Sequence, residues 1–109
     1  MILQLSQYSN IASKNIFYEG PCGDDTLTVS DMSQYGTMHL ELKLGNTMLM
    51  HNEIPYQVFK RQANVRCGYY DGSHFYSQDV IYVNDKTVKV LTNTNAATYN
   101  LSFIFYGAI

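Results

Sequence analysis

Residues Thr37-Met-His-Leu-Glu-Leu-Lys-Leu44 alternate without a break: Met38, Leu40, Leu42 and Leu44 fall on one side, His39, Glu41 and Lys43 on the other. A period of two is that of a β-strand with one face in a core and the other in solvent. The last residues repeat the pattern. Tyr99, Leu101, Phe103 and Phe105 share one face, and Asn100, Ser102, Ile104 and Tyr106 the other. Here the second face also turns apolar, at Ile104 and Tyr106. This strand is therefore expected to be buried on both sides, within the chain or against another subunit.

Shorter runs of the same kind fill the interval. Ile2–Ser6, Asn15–Glu19 and Thr26–Ser30 read as strands. Gly45-Asn46 is a hairpin turn that returns the chain into Thr47–Met50. Glu53–Phe59 holds Pro55, which cannot donate to a ladder, so it reads as an edge strand or one entered by a kink. Ala63–Tyr70 and the short His74–Ser77 flank a turn at Asp71-Gly72-Ser73, and Asp79–Val83 and Thr87–Leu91 form a hairpin around Asn84-Asp85-Lys86. Tyr8–Lys14, Gly20–Asp25 and Thr92–Ala96 read as polar turns or loops. Asp31–Gly36 is the one place for a helical turn, capped by Ser30 or Asp31. Turn residues recur at the roughly 8–12-residue spacing of a sandwich or barrel. The pattern predicts one all-β domain over residues 1–109, a small antiparallel β-sandwich with at most one short helical turn.

Composition agrees. Tyr is abundant at ten copies, Trp is absent, and charged residues make up 15%, against a usual share of about 25%. Net charge is −2, and Lys43, Lys60, Arg61, Arg66, Lys86 and Lys89 are scattered. Nucleic-acid binding needs a concentrated positive face, so no nucleic-acid partner is expected. No apolar run reaches the length of a membrane span, so no membrane insertion is expected. Met1-Ile-Leu-Gln-Leu5 lacks the basic start and long apolar stretch of a signal peptide. Cys22 and Cys67 read as free thiols of a protein made in a reducing cytoplasm, though the sequence leaves open whether they meet.

Candidate chemistry is sparse. Ser73 and His74 are adjacent, but neighbours on a strand point to opposite faces, and no G-x-S-x-G elbow occurs. His39, His51 and His74 lack ligand spacing, and His39 reads as an exposed sheet residue. Asp24-Asp25 reads as a pair of solvated turn acids. No enzymatic activity, cofactor or metal is expected. The segment Tyr69-Tyr-Asp-Gly-Ser-His-Phe-Tyr76 is different. Its rings offer flat apolar faces and its Asp, Ser and His offer hydrogen bonds, a mixture suited to sugar rings and peptide side chains. The candidate ligand-binding residues are Tyr69, Tyr70, Asp71, His74 and Tyr76, with Asn93 and Asn95 as second choices. Against this stands a plainer arrangement, in which half of these aromatics point into the core and the others stabilise cross-strand pairs.

The order of elements resembles the C-terminal domains of bacteriophage tail-fibre and receptor-binding proteins. The resemblance lies in Asn15-Ile-Phe-Tyr-Glu-Gly20, Thr26-Leu-Thr-Val-Ser30, Tyr35–Leu44, Ile54-Pro55 and the ending Leu101-Ser-Phe-Ile-Phe-Tyr-Gly-Ala-Ile109, and it covers residues 15–109. Ala108 before Ile109 departs from the commonest ending, and these motifs are core and turn positions that carry over no binding residue. The resemblance implies a jelly-roll-like knob, assembled as a homotrimer on a virion tail or surface. It would adhere to a host cell-surface saccharide or protein. The alternative is a structural virion protein, a capsid decoration or tail-assembly piece that binds other virion proteins.

Overall fold

The computed structural model describes residues 13–62 and 64–109. Eight strands form two four-stranded antiparallel sheets. The first runs in the order β1 (Lys14–Pro21), β8 (Ser102–Ala108), β3 (Thr37–Leu44) and β4 (Thr47–Pro55). The second runs β2 (Asp25–Thr28), β7 (Thr87–Thr92), β6 (Phe75–Asn84) and β5 (Val65–Tyr70). The all-β sandwich expected from the alternation is the fold observed. The strands nearest the two ends of the chain pair as in a jelly roll, first with last and second with seventh. The strands in the middle of the chain close as plain hairpins, β3 with β4 and β5 with β6. Gly45 at φ 60 permits the tight turn that keeps β4 beside β3.

The core lies between the sheets. Met38, Leu40 and Leu42 of β3 and Phe103 and Phe105 of β8 meet Val80, Val88 and Val90 across the sandwich, all almost fully buried. Each such side chain contributes roughly 1.5–3 kcal/mol on burial. β8 is an interior strand flanked by β1 and β3, and its opposite face is buried as well, at Ile104 and Tyr106. Tyr106 stacks on His39 with ring centroids 4.6 Å apart, and the Lys14 ammonium sits 4.3 Å from the same ring. Gly107 is required by close approach: a Cβ there would lie 2.8 Å from the Tyr35 ring and 2.9 Å from Phe17.

The first strand expected at Ile2–Ser6, and all of Tyr8–Lys14 before Ser13, lie outside the described residues; Lys14 opens β1. The turn at Asp31 is a 3₁₀ turn, Met32–Gln34, and the Asp31 carboxylate accepts the Ser33 amide. Two further turns raise the number of helical elements above the one expected: α1 (Tyr56–Phe59) and α2 (Thr94–Thr98). α1 follows Pro55, which ends the edge strand β4. α2 forms because Asn93 caps it, accepting the Ala96 amide at 3.0 Å. β8 accordingly starts at Ser102, after Asn100 at φ 58, and Tyr99 is not part of the strand. His74–Ser77 and Asp79–Val83 belong to one strand, β6, apart from His74 itself. The polar Gln78 between them is fully buried, with its amide bonded to Gly23 and to the Leu91 carbonyl. Leu44, placed with the core face by its alternation, is half exposed at the hairpin tip.

The register gathers the β1–β2, β3–β4, β5–β6 and β7–β8 connections at one end of the sandwich. The 3₁₀ turn, α1, the β6–β7 turn and Ile109 lie towards the other.

Candidate functional site

At the first of these ends a cleft of about 290 Å³ opens between three hairpin or loop segments. Leu44 and Leu49 come from the β3–β4 hairpin, Tyr69, Asp71 and Tyr76 from the β5–β6 hairpin, and Tyr99 and Leu101 from the approach to β8. Tyr69 and Tyr76 are cross-strand partners and so share the inward face. Tyr99 meets Tyr76 edge to face, with centroids 5.8 Å apart at 88°, and lies 5.1 Å from the His74 ring. Its hydroxyl is 3.4 Å from His74 Nε2. The walls are thus mainly apolar and aromatic, with one carboxylate among them.

That carboxylate organises the turn. Asp71 Oδ1 accepts the amides of Ser73 at 2.8 Å and His74 at 2.7 Å, and Oδ2 accepts the Tyr76 hydroxyl at 2.7 Å. The His74 amide and then the Tyr76 hydroxyl hold the Asp71 carboxyl down at about 2, so it is ionised at neutral pH. The same bond pushes the Tyr76 hydroxyl up to about 12. Gly72 at φ 97 supplies the left-handed residue this turn needs. Each carboxylate oxygen has two acceptor positions, so Oδ2 keeps one for a ligand hydroxyl.

The structure sorts the residues singled out by sequence. Tyr69, Asp71 and Tyr76 line the cleft, and His74 adjoins it through Tyr99. Tyr70 pairs with Phe75 on the opposite face of the sheet, 63% exposed, with its hydroxyl on the Gly72 carbonyl. It shares no site with Tyr76. Asn93 and Asn95 are structural: both side chains donate to the Phe75 carbonyl, at 2.7 and 3.0 Å, and Asn93 also accepts the Ser77 amide. Sequence reasoning missed Tyr99, Leu101, Leu44 and Leu49. The signal for Tyr99 was Asn93, a helix-capping residue type six positions before it.

A second constellation stands on the outer face of the first sheet. His39, expected to be exposed, is buried against Tyr106, and its Nδ1 lies 2.8 Å from His51 Nε2. Burial chiefly holds His39 below the usual imidazole value. Ligand atoms of His39, His51 and Glu53 lie within 4.8 Å of one another, the one such metal-competent group among the described residues. His51 and Glu53 stand two apart on β4, but His39 comes from β3, so spacing along the chain shows only part of the group.

Cys22 and Cys67 are both buried and unpaired, as the sequence reading has them. Burial pushes their thiols up to about 12 and about 11, values at which neither is a nucleophile at neutral pH. No family model, curated protein or solved structure matches this chain.

Proposed function

We propose that this chain is a non-catalytic binding module that takes a saccharide in the cleft between the β3–β4 hairpin, the β5–β6 turn and Tyr99, and that it serves as a receptor-binding tip on a phage virion. The observation that supports the binding reading is the Tyr69–Tyr76–Tyr99 wall with the ionised Asp71 at its edge. Flat apolar faces beside a hydroxyl acceptor suit the two-sided chemistry of a sugar ring. The apolar rim reaches the surface at Leu44, which is half exposed, so the site can accept a ligand borne on a larger surface.

The virion reading rests on the resemblance of the strand motifs and of Leu101–Ile109 to those of tail-fibre tips. A homotrimer would present three such clefts, and multivalent attachment raises avidity through effective concentration. Tyr70, Phe75 and Leu91, exposed together on the outer face of the second sheet, support contact with other protein. They favour either the trimer or the second reading, a structural virion protein that binds other virion proteins. A glycan array probed with the protein and with Tyr99→Ala tests the proposal. Retention of a defined set of saccharides by the protein, weakened by the substitution, supports it. Retention of none, or retention indifferent to Tyr99, overturns it.

A further inference from the structure

The histidine pair on the outer face of the first sheet is built in layers. In the β3–β4 ladder His39 stands opposite Glu53 and Glu41 opposite His51, so His39 and His51 are diagonal neighbours on one face. His39 is held from two sides. The Tyr106 ring lies parallel to it, within 4°. Its Nε2 is 3.2 Å from Thr37 Oγ1, and that hydroxyl donates its own proton to the Ala108 carbonyl at 3.3 Å. With its proton committed to Ala108, the Thr37 oxygen can only accept from His39. The proton of His39 is thereby placed on Nε2, and the lone pair of Nδ1 is aimed at His51 Nε2. A ring nitrogen fixed in its lone-pair form by an outer hydrogen bond is how proteins prepare a histidine ligand.

We propose that His39 Nδ1, His51 Nε2 and a Glu53 carboxylate oxygen form a site for a divalent zinc-class metal ion, which staples the edge strand β4 to β3. Two imidazole nitrogens and one carboxylate oxygen suit Zn²⁺ rather than Ca²⁺ or Mg²⁺, which take oxygen ligands. The ion takes the place of the proton now shared between the two rings. His51 presents the lone pair of Nε2 by carrying its proton on Nδ1. Nitrogens on one tetrahedral zinc stand about 3.3 Å apart at ordinary Zn–N lengths, so the 2.8 Å pair opens by a fraction of an ångström. His51 and Glu53 are exposed and free to make that shift. Glu41 and Glu53 supply negative charge nearby, and Lys14, over the far side of Tyr106, is the cation that opposes the ion. The fourth position is left to water, as in zinc sites with three protein ligands. This site lies on the outer face of β3 and β4 and shares no residue with the cleft at their hairpin end, so its success or failure is independent of the saccharide reading.

Calorimetric titration of the whole chain with Zn²⁺, together with the visible absorption spectrum of Co²⁺ as a substitute ion, tests the site. The expected result is one ion per chain with affinity in about the micromolar range and a four-coordinate Co²⁺ spectrum. His51→Ala and Glu53→Gln are exposed changes that keep the fold, checked by circular dichroism, and each is expected to lower affinity by roughly tenfold or more. Thr37→Val, which removes the hydrogen bond orienting His39, is expected to weaken binding without removing a ligand. Absence of one-to-one binding, or affinity unchanged by His51→Ala, overturns the proposal.

Discussion

Tyr76 donates its hydroxyl to Asp71 Oδ2 across 2.7 Å, and this bond ties the first inward-facing side chain of β6 to the turn that precedes it. It makes the cleft wall rigid, because the carboxylate is held at the same time by two backbone amides. Tyr76→Phe keeps the ring and removes the bond, and is expected to lower the thermal midpoint by a few degrees. Asp71→Ala strands all three donors and is expected to lower it further. Thermal unfolding followed by circular dichroism checks the order: equal midpoints for the two variants would mean that the turn does not depend on the carboxylate.

Tyr99 is 46% exposed and forms the outer lip of the cleft. Tyr99→Ala is expected to weaken saccharide binding by about tenfold, equivalent to roughly 1.4 kcal/mol. Because the ring is so open, global stability is expected to move by no more than about 0.5 kcal/mol. Binding isotherms and denaturant titrations of the same preparation separate the two effects.

Phe105 is fully buried and touches Phe17 and Phe59, with ring centroids 5.0 and 5.9 Å away. Phe105→Ala is expected to cost about 3–5 kcal/mol, a large part of the roughly 5–15 kcal/mol that a small domain has. Gly107→Ala forces a methyl against Tyr35 and Phe17 and is expected to cost about 1–3 kcal/mol. Urea denaturation measures both.

Stability is expected to hold through neutral pH and to fall on the alkaline side. Burial raises Cys22 from 9.0 to about 12 and Cys67 from 9.0 to about 11, and the bond to Asp71 raises Tyr76 from 10.0 to about 12. The bond of Tyr56 to Asp85 raises Tyr56 as well. For each of these the folded state keeps its proton to higher pH than the unfolded state, so the contribution is complete below pH 9 and is lost between about 9 and 12. Asp71 has the opposite sense: its contribution is present above 3.8 and is lost as pH falls towards about 2. Melting temperature measured across pH reads both limbs. A loss of stability on raising the pH through neutrality would contradict this assignment.

The solution mass addresses assembly. Light scattering is expected to give three times the chain mass if the exposed Tyr70, Phe75 and Leu91 face is covered by further copies. A monomer at all concentrations would remove the fibre-tip trimer and leave a monomeric binding module.

The fold was legible because alternation is a local signal. β3 begins and ends where its pattern does, and Leu101, Phe103 and Phe105 face the core as their spacing predicts. What stayed hidden depended on partners distant in sequence. Gln78 looks like a break in a strand until its amide is seen satisfied by Gly23 and Leu91. Tyr99 looks like strand until the Asn93 cap turns the chain into α2. The turn cluster was found, but its members divide by strand parity: Tyr69 and Tyr76 face inward while Tyr70 and Phe75 face out. His39 and His51 are twelve residues apart and meet only through the β3–β4 register.

The measurement that bears most directly on the binding site is amide chemical-shift mapping of isotope-labelled protein against saccharides retained on the array. The account predicts saturable shifts gathered at Leu44, Tyr69, Asp71 and Tyr99, at the end of the sandwich where these segments converge. Saturable shifts centred on any other surface, or none at all, would contradict it.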